Sequence, residues 1–161
     1  MADEMKRLGL LDDDELADEL ERAERELRAA QAQRAATVTA VQERIEAKGY
    51  RLSGATETVA AITVTSNRTA SRLMDASMTV CERPLVWQAL AEGRIDAGRA
   101  DVIAGGLDEI EGADRDRLEA KALEYADSHT TFQTRRYVTR LLVDHDPKRA
   151  EREQEKRRAK V

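Results

Sequence analysis

Apolar residues recur along this chain at three- and four-residue intervals. Only the brief "AITVT" (61–65) alternates in the manner of a strand. The first periodic run is the longest. Leu16, Leu20, Ala23, Leu27 and Ala30 step by four, three, four and three, and after a stutter Val38, Val41 and Ile45 carry the seam on. The aspartates of "DDDEL" suit its N-cap and the positive end of the helix dipole, and Gly49 suits its C-terminal end. About thirty-five residues at about 1.5 Å each give a helix of roughly 50 Å. A helix of that length either protrudes from a small domain or pairs with another chain. Leu16, Leu20, Ala23, Leu27, Val38, Val41 and Ile45 are therefore the candidate seam of a homodimer. One buried face in an intramolecular bundle is the competing reading.

Shorter helices follow. "GYRLSGATE" reads as a turn, and a short helix is expected at about 58–63, then another from Ser66 to about Val80. Pro84 suits the first turn of "PLVWQALAE", which Gly93 closes. Asp96 caps "AGRADVIAGGLDEI", where the pair Gly105 and Gly106 weakens or ends the helix. In the next helix Leu118, Ala122 and Tyr125 share a face. Thr130 or Thr131 caps the last one, with Phe132, Tyr137, Val138, Leu141 and Leu142 turned inward. The expected fold class is all-α: a multi-helix bundle with one long N-terminal helix and about six shorter ones. Residues 1–11 read as a tail, 12–147 as the helical domain, and 148–161 as a charged helix or linker.

Composition narrows the function. Of the 161 residues, 27 are Lys or Arg and 32 are Asp or Glu, a net charge of −5, so any nucleic-acid contact needs a local basic patch. A single cysteine, Cys81, excludes an internal disulfide and a cysteine-cluster zinc site. With no signal-peptide core and no apolar run of membrane-spanning length, the expectation is a cytoplasmic protein without membrane contact.

The block "RPLVWQALAEGRIDAGRADVIAGGL" carries a family resemblance. Its spacing of Pro84, Ala89-Leu90, Gly93, Ile95, Ala100 and Ile103, with the later Asp146-Pro147 step, resembles the actinobacterial domain of unknown function 222, the thirteen-E-twelve repeat family. The resemblance runs from about Leu16 to Pro147 and rests mostly on packing residues. It implies a helical domain of the kind that precedes an HNH endonuclease module. No catalytic residue carries over, since the only histidines are His129 and His145 and no paired cysteine knuckle is present. The chain is thus expected to be a stand-alone relative or part of a longer protein.

One segment carries candidate chemistry. Residues 58–74 follow the order of a helix-turn-helix unit, with Ala60, Ala61, Ile62, Val64, Ser66, Arg68, Thr69, Ala70, Ser71 and Arg72 in sequence. Val64 and Ala70 would lock the two helices. Arg51, Ser66, Asn67, Arg68, Ser71 and Arg72 would reach base edges and phosphates of double-stranded DNA. Residues 48–74 hold four basic side chains (Lys48, Arg51, Arg68, Arg72) against one acid, Glu57. In the plainer reading Ala70, Leu73 and Met74 pack inward and the arginines only solvate the outer face.

Other constellations have simpler explanations. Asp144, His145 and Asp146 are consecutive and cannot easily close around one metal ion. Cys81 reads as a small core hydrophobe and Trp87 as a core anchor. Seven basic residues against three acids in 148–161 allow weak phosphate binding, although i,i+4 ion pairs explain them better. The expectation is a non-catalytic DNA-associating module without cofactor, metal or small-molecule substrate. A helical dimerisation scaffold is the alternative.

Overall fold

A computed structural model of the chain describes residues 1–49 and 52–147. Among them are eight helices and no strand: α1 (Ala2–Leu8), α2 (Asp13–Ala47), α3 (Leu52–Thr63), α4 (Asn67–Cys81), α5 (Pro84–Ala91), α6 (Ala97–Gly106), α7 (Gly112–Ala126) and α8 (Thr131–His145). The all-α class and the long helix are as expected. Most ends are set by the local chemistry read from the sequence. Asp12 and Glu15 form a reciprocal capping box at α2, as Thr130 and Gln133 do at α8. Ser66 and Asp96 cap α4 and α6 through the backbone N–H groups of Thr69 and Arg99. Pro84 occupies the first turn of α5, and Gly49 and Gly93 take the left-handed conformation beyond α2 and α5.

Two local expectations fail. The supposed tail contains α1, whose Arg7 reaches back to Glu19 of α2. The supposed turn at 49–57 is mostly helix, because α3 runs continuously from Leu52. Ala55, Val59 and Ala60 share a face buried against α2 and α4, and that burial outweighs the weak helix preference of Gly54.

The core has two parts. The larger is built by α5 to α8 around Leu90, Ile95, Ile103 and Leu107, with Val80 of α4 and Ala32 of α2 joining it. The smaller gathers Val38 of α2, Ala55, Val59 and Ala60 of α3, and Ala70 and Met74 of α4, with Val41, Ile45 and Leu73 at its margin. Helices α2 and α4 thus run through both parts and tie them together. Gly106 lies so close to α8 that a Cβ there would meet Val138 Cγ1 at 2.7 Å. Buried charges are paired: Arg83 lies 2.6 Å from Asp108 and 3.5 Å from Glu119. Arg99 donates to Asp96 and to the carbonyls of Ala126 and His129. Burial holds the Glu119 carboxyl above its ordinary pKa, although the Arg83 guanidinium opposes the shift.

Two aromatic residues expected inside lie outward. Val86, Ala89 and Leu90 take the inner face of α5, leaving Trp87 37% exposed. On α8 the inner face is Thr134, Val138 and Leu141, with Tyr137 and Leu142 half-buried, and Phe132 is 68% exposed. Cys81 is half-buried rather than sealed in the core. No described helix is long and apolar enough to cross a membrane.

Candidate nucleic-acid interface

The segment 58–74 folds as a helix, a short turn and a helix. Helix α3 ends at Thr63, Val64 to Ser66 make the turn, and α4 begins at Asn67. Val64 has φ +53 and its N–H bonds the Ala61 carbonyl, while the Thr65 N–H reaches back to the Ala60 carbonyl. This is a left-handed helix ending, a place that glycine or asparagine usually fills. The side chain of Val64 is 90% exposed, so it does not lock the two helices as expected. Ala70 does, at 0% exposure, with Met74 beneath it.

The inner face of α4 is therefore spoken for, and the arginines lie on the other. Arg68 and Arg72, one helical turn apart, are exposed, and neither joins an ion pair among the described residues. Asp75 follows Arg72 at three residues without pairing to it. Asn67 is exposed beside them and Ser71 is half-buried. Ser66 has a structural duty: its hydroxyl oxygen accepts the Thr69 N–H at 3.2 Å and lies 2.9 Å from the Thr69 hydroxyl. Arg51 lies outside the described residues, as does the charged segment 148–161.

The proposed dimer seam divides in two. Leu16, Leu20, Ala23 and Leu27 are exposed on the N-terminal half of α2, with Leu20 at 65% and Leu27 at 54%. Val38, Val41 and Ile45 are covered within the same chain by α3 and α4, so that part of the seam is already occupied. A stripe of uniform heptad character is split by where the following two helices fold back.

The sequence reading overlooked a cluster on α7 and α8. Tyr125 is the middle of a three-ring column, 3.7 Å from His129 and 4.2 Å from Tyr137, with planes within 12° and 8° of parallel. Beside it a groove of about 430 Å³ is lined by Tyr125, Gln133, Arg136, Tyr137 and Arg140. The guanidinium of Arg136 also sits 6.0 Å from the Phe132 ring centre. The signal in the sequence is the four-residue spacing of Phe132, Arg136 and Arg140 in "FQTRRYVTR", which the apolar periodicity of the same helix masks.

Among the described residues no group of three or more His, Cys, Asp or Glu is placed to hold a metal ion. No family model, curated protein or solved structure matches this chain.

Proposed function

We propose that the chain is a non-catalytic helical module that associates with double-stranded DNA through the first two turns of α4. The observation that carries this reading is the pair Arg68 and Arg72, exposed on one face directly after a capped turn. Arginine and asparagine are the side chains best matched to guanine and adenine edges, and arginine also binds phosphate. In an acidic protein such a face must act locally, and residues 48–74 have the basic excess for it. The resemblance of 84–107 to the thirteen-E-twelve family favours a role beside an HNH nuclease, in the cytoplasm and without a cofactor of its own.

Anisotropy with a labelled duplex at low salt tests the reading. The wild type should bind, and Arg68→Ala with Arg72→Ala should abolish binding or flatten the slope of log K against log salt by about 1.8, from about 0.9 per phosphate contact. Undetectable binding, or an unaffected double variant, would remove the DNA reading. Cleavage of DNA with Mg²⁺ or Mn²⁺ that survives repurification would overturn the non-catalytic assignment.

The exposed leucines favour a second reading, in which α2 pairs two copies. Residues 12–21 hold seven acids and no base, whereas Arg22, Arg25, Arg28 and Arg34 follow within the next 13 residues against two acids. Parallel pairing would set acid against acid. Antiparallel pairing sets the acidic end against the arginines and places Leu16 opposite Leu27 of the second copy. Sedimentation should show dimers that Leu20→Glu with Leu27→Glu converts to monomers. Wild-type monomers at high concentration would remove this reading.

A further inference from the structure

The groove between α7 and α8 combines three features found together at surfaces that hold unpaired bases: stacked rings, arginines without acid partners, and room between them. Arg135, Arg136 and Arg140 are exposed on α8, and none forms an ion pair among the described residues. The nearby acids at the C-terminal end of α7, Glu124 and the capping Asp127, face elsewhere. Asp127 is held by Arg94 at 3.2 Å, and Glu124 and Asp127 line a different groove with Leu85 and Gln88. The column's own geometry is fixed by the chain. His129 Nδ1 donates to the Tyr125 carbonyl at 2.7 Å, which sets the imidazole flat on the Tyr125 ring.

We propose that this groove, together with the Phe132 ring that adjoins it across Arg136, binds single-stranded nucleic acid, with bases stacking on Tyr137 and Phe132 and the backbone phosphates held by Arg136 and Arg140. Phe132 is the sharpest pointer. A large apolar ring 68% exposed gains nothing by facing water, yet it stands with an arginine over it, as a base platform does. Gln133, which lines the same groove, offers an amide to base edges. Duplex DNA does not fit this chemistry, because its bases are already stacked on one another. The deoxy and ribo forms share the required faces and charges. The site is separate from Arg68 and Arg72, so it stands or falls independently of the duplex reading.

The test uses the full chain and labelled 15-mers at low salt: oligothymidylate, oligouridylate, an abasic strand of equal charge, and a duplex. The wild type should bind at least one of the two base-bearing strands, and at least five-fold tighter than the abasic one. Arg136→Ala with Arg140→Ala should weaken that binding ten-fold or more and reduce the salt slope by about 1.4, from about 0.7 per contact on single strands. Phe132→Ala, at an exposed position where folding is not at stake, should bring the base-bearing strand close to the abasic one. Arg68→Ala with Arg72→Ala should leave single-strand binding within two-fold while removing duplex binding. The proposal is overturned if neither base-bearing strand binds, if the abasic strand binds as tightly, or if the α8 variants bind like the wild type.

Discussion

Val64 holds the turn between α3 and α4 in a conformation its side chain opposes, so replacing it should stabilise the protein. A left-handed φ costs an L-residue about 1–2 kcal/mol, and a β-branched side chain lies toward the upper end. Little is lost by removing the side chain. Full burial of a valine is worth about 1.5–3 kcal/mol, and at 90% exposure only about a tenth of that, roughly 0.2–0.3 kcal/mol, is at stake. Asparagine tolerates the left-handed region and adds no glycine-like chain entropy, so Val64→Asn should gain about 1 kcal/mol. Val64→Gly relieves the same strain but gives back about 0.5–1 kcal/mol through the unfolded chain, so its gain is smaller. For a chain of this size about 1 kcal/mol moves Tm by roughly 2–4 °C, well within reach of calorimetry. Gly112→Ala supplies the reverse experiment, because its φ is +63 and an added Cβ would meet nothing within 4 Å. It should lose about 1 kcal/mol from conformation alone. A Val64→Asn protein that melts at or below the wild type, while Gly112→Ala melts lower, would refute the strain argument at this turn.

Gly93→Ala should cost more than Gly112→Ala, about 2 kcal/mol or above, since φ is +73 and the new Cβ would stand 2.8 Å from the Arg25 carbonyl oxygen; urea midpoints at equal slope would show it. Arg99→Ala should lose about 2–3 kcal/mol by taking the short guanidinium hydrogen bond from the buried Ala126 carbonyl, which keeps only the long His129 N–H at 3.4 Å, and Arg99→Lys, with no forked guanidinium, should recover little in the same melts. Glu119→Gln should raise Tm at pH 7 and match the wild type in acid. The buried carboxyl has a raised pKa, so stability from its neutral form is full below the unfolded-state pKa of about 4.3 and is lost as pH rises through the folded value. A Tm difference that does not narrow from pH 7 to pH 4 would remove this account.

The helices were legible where their ends depend on residues within one turn. Asp12 with Glu15, Ser66 with Thr69, Asp96 with Arg99 and Thr130 with Gln133 are all contacts spanning three residues, and a sequence displays such pairs directly. Burial across the fold is another matter. Leu20 and Val41 look alike in the heptad, but one is exposed and the other is packed against α3 and α4. Nothing local distinguishes them, because the covering helices belong to residues 52–81. Gly54 and Phe132 misled for related reasons: the first was overruled by the burial of Ala55 and Val59, and the second lies about 200° around α8 from Thr134.

The candidate interfaces were half legible because a sequence counts charges but does not say which of them are free. Arg83 and Arg99 are buried in paired sites, and Arg7, Arg22, Arg25, Arg28, Arg94 and Arg117 are each within reach of an acid. Arg115 donates to the Ile110 carbonyl, and Arg34 and Arg44 stand ten residues apart on α2, which leaves Arg68 and Arg72 on α4 and Arg135, Arg136 and Arg140 on α8 as the groups of neighbouring exposed arginines without acid partners among the described residues. The acids behave differently: seven of them gather at the start of α2, where capping and the helix dipole account for many. A net charge of −5 therefore averages over an acidic helix end and two basic faces that lie in other parts of the sequence. Because counterion release depends on the cations a nucleic acid touches, the two arginine faces and not the total set the affinity each would have.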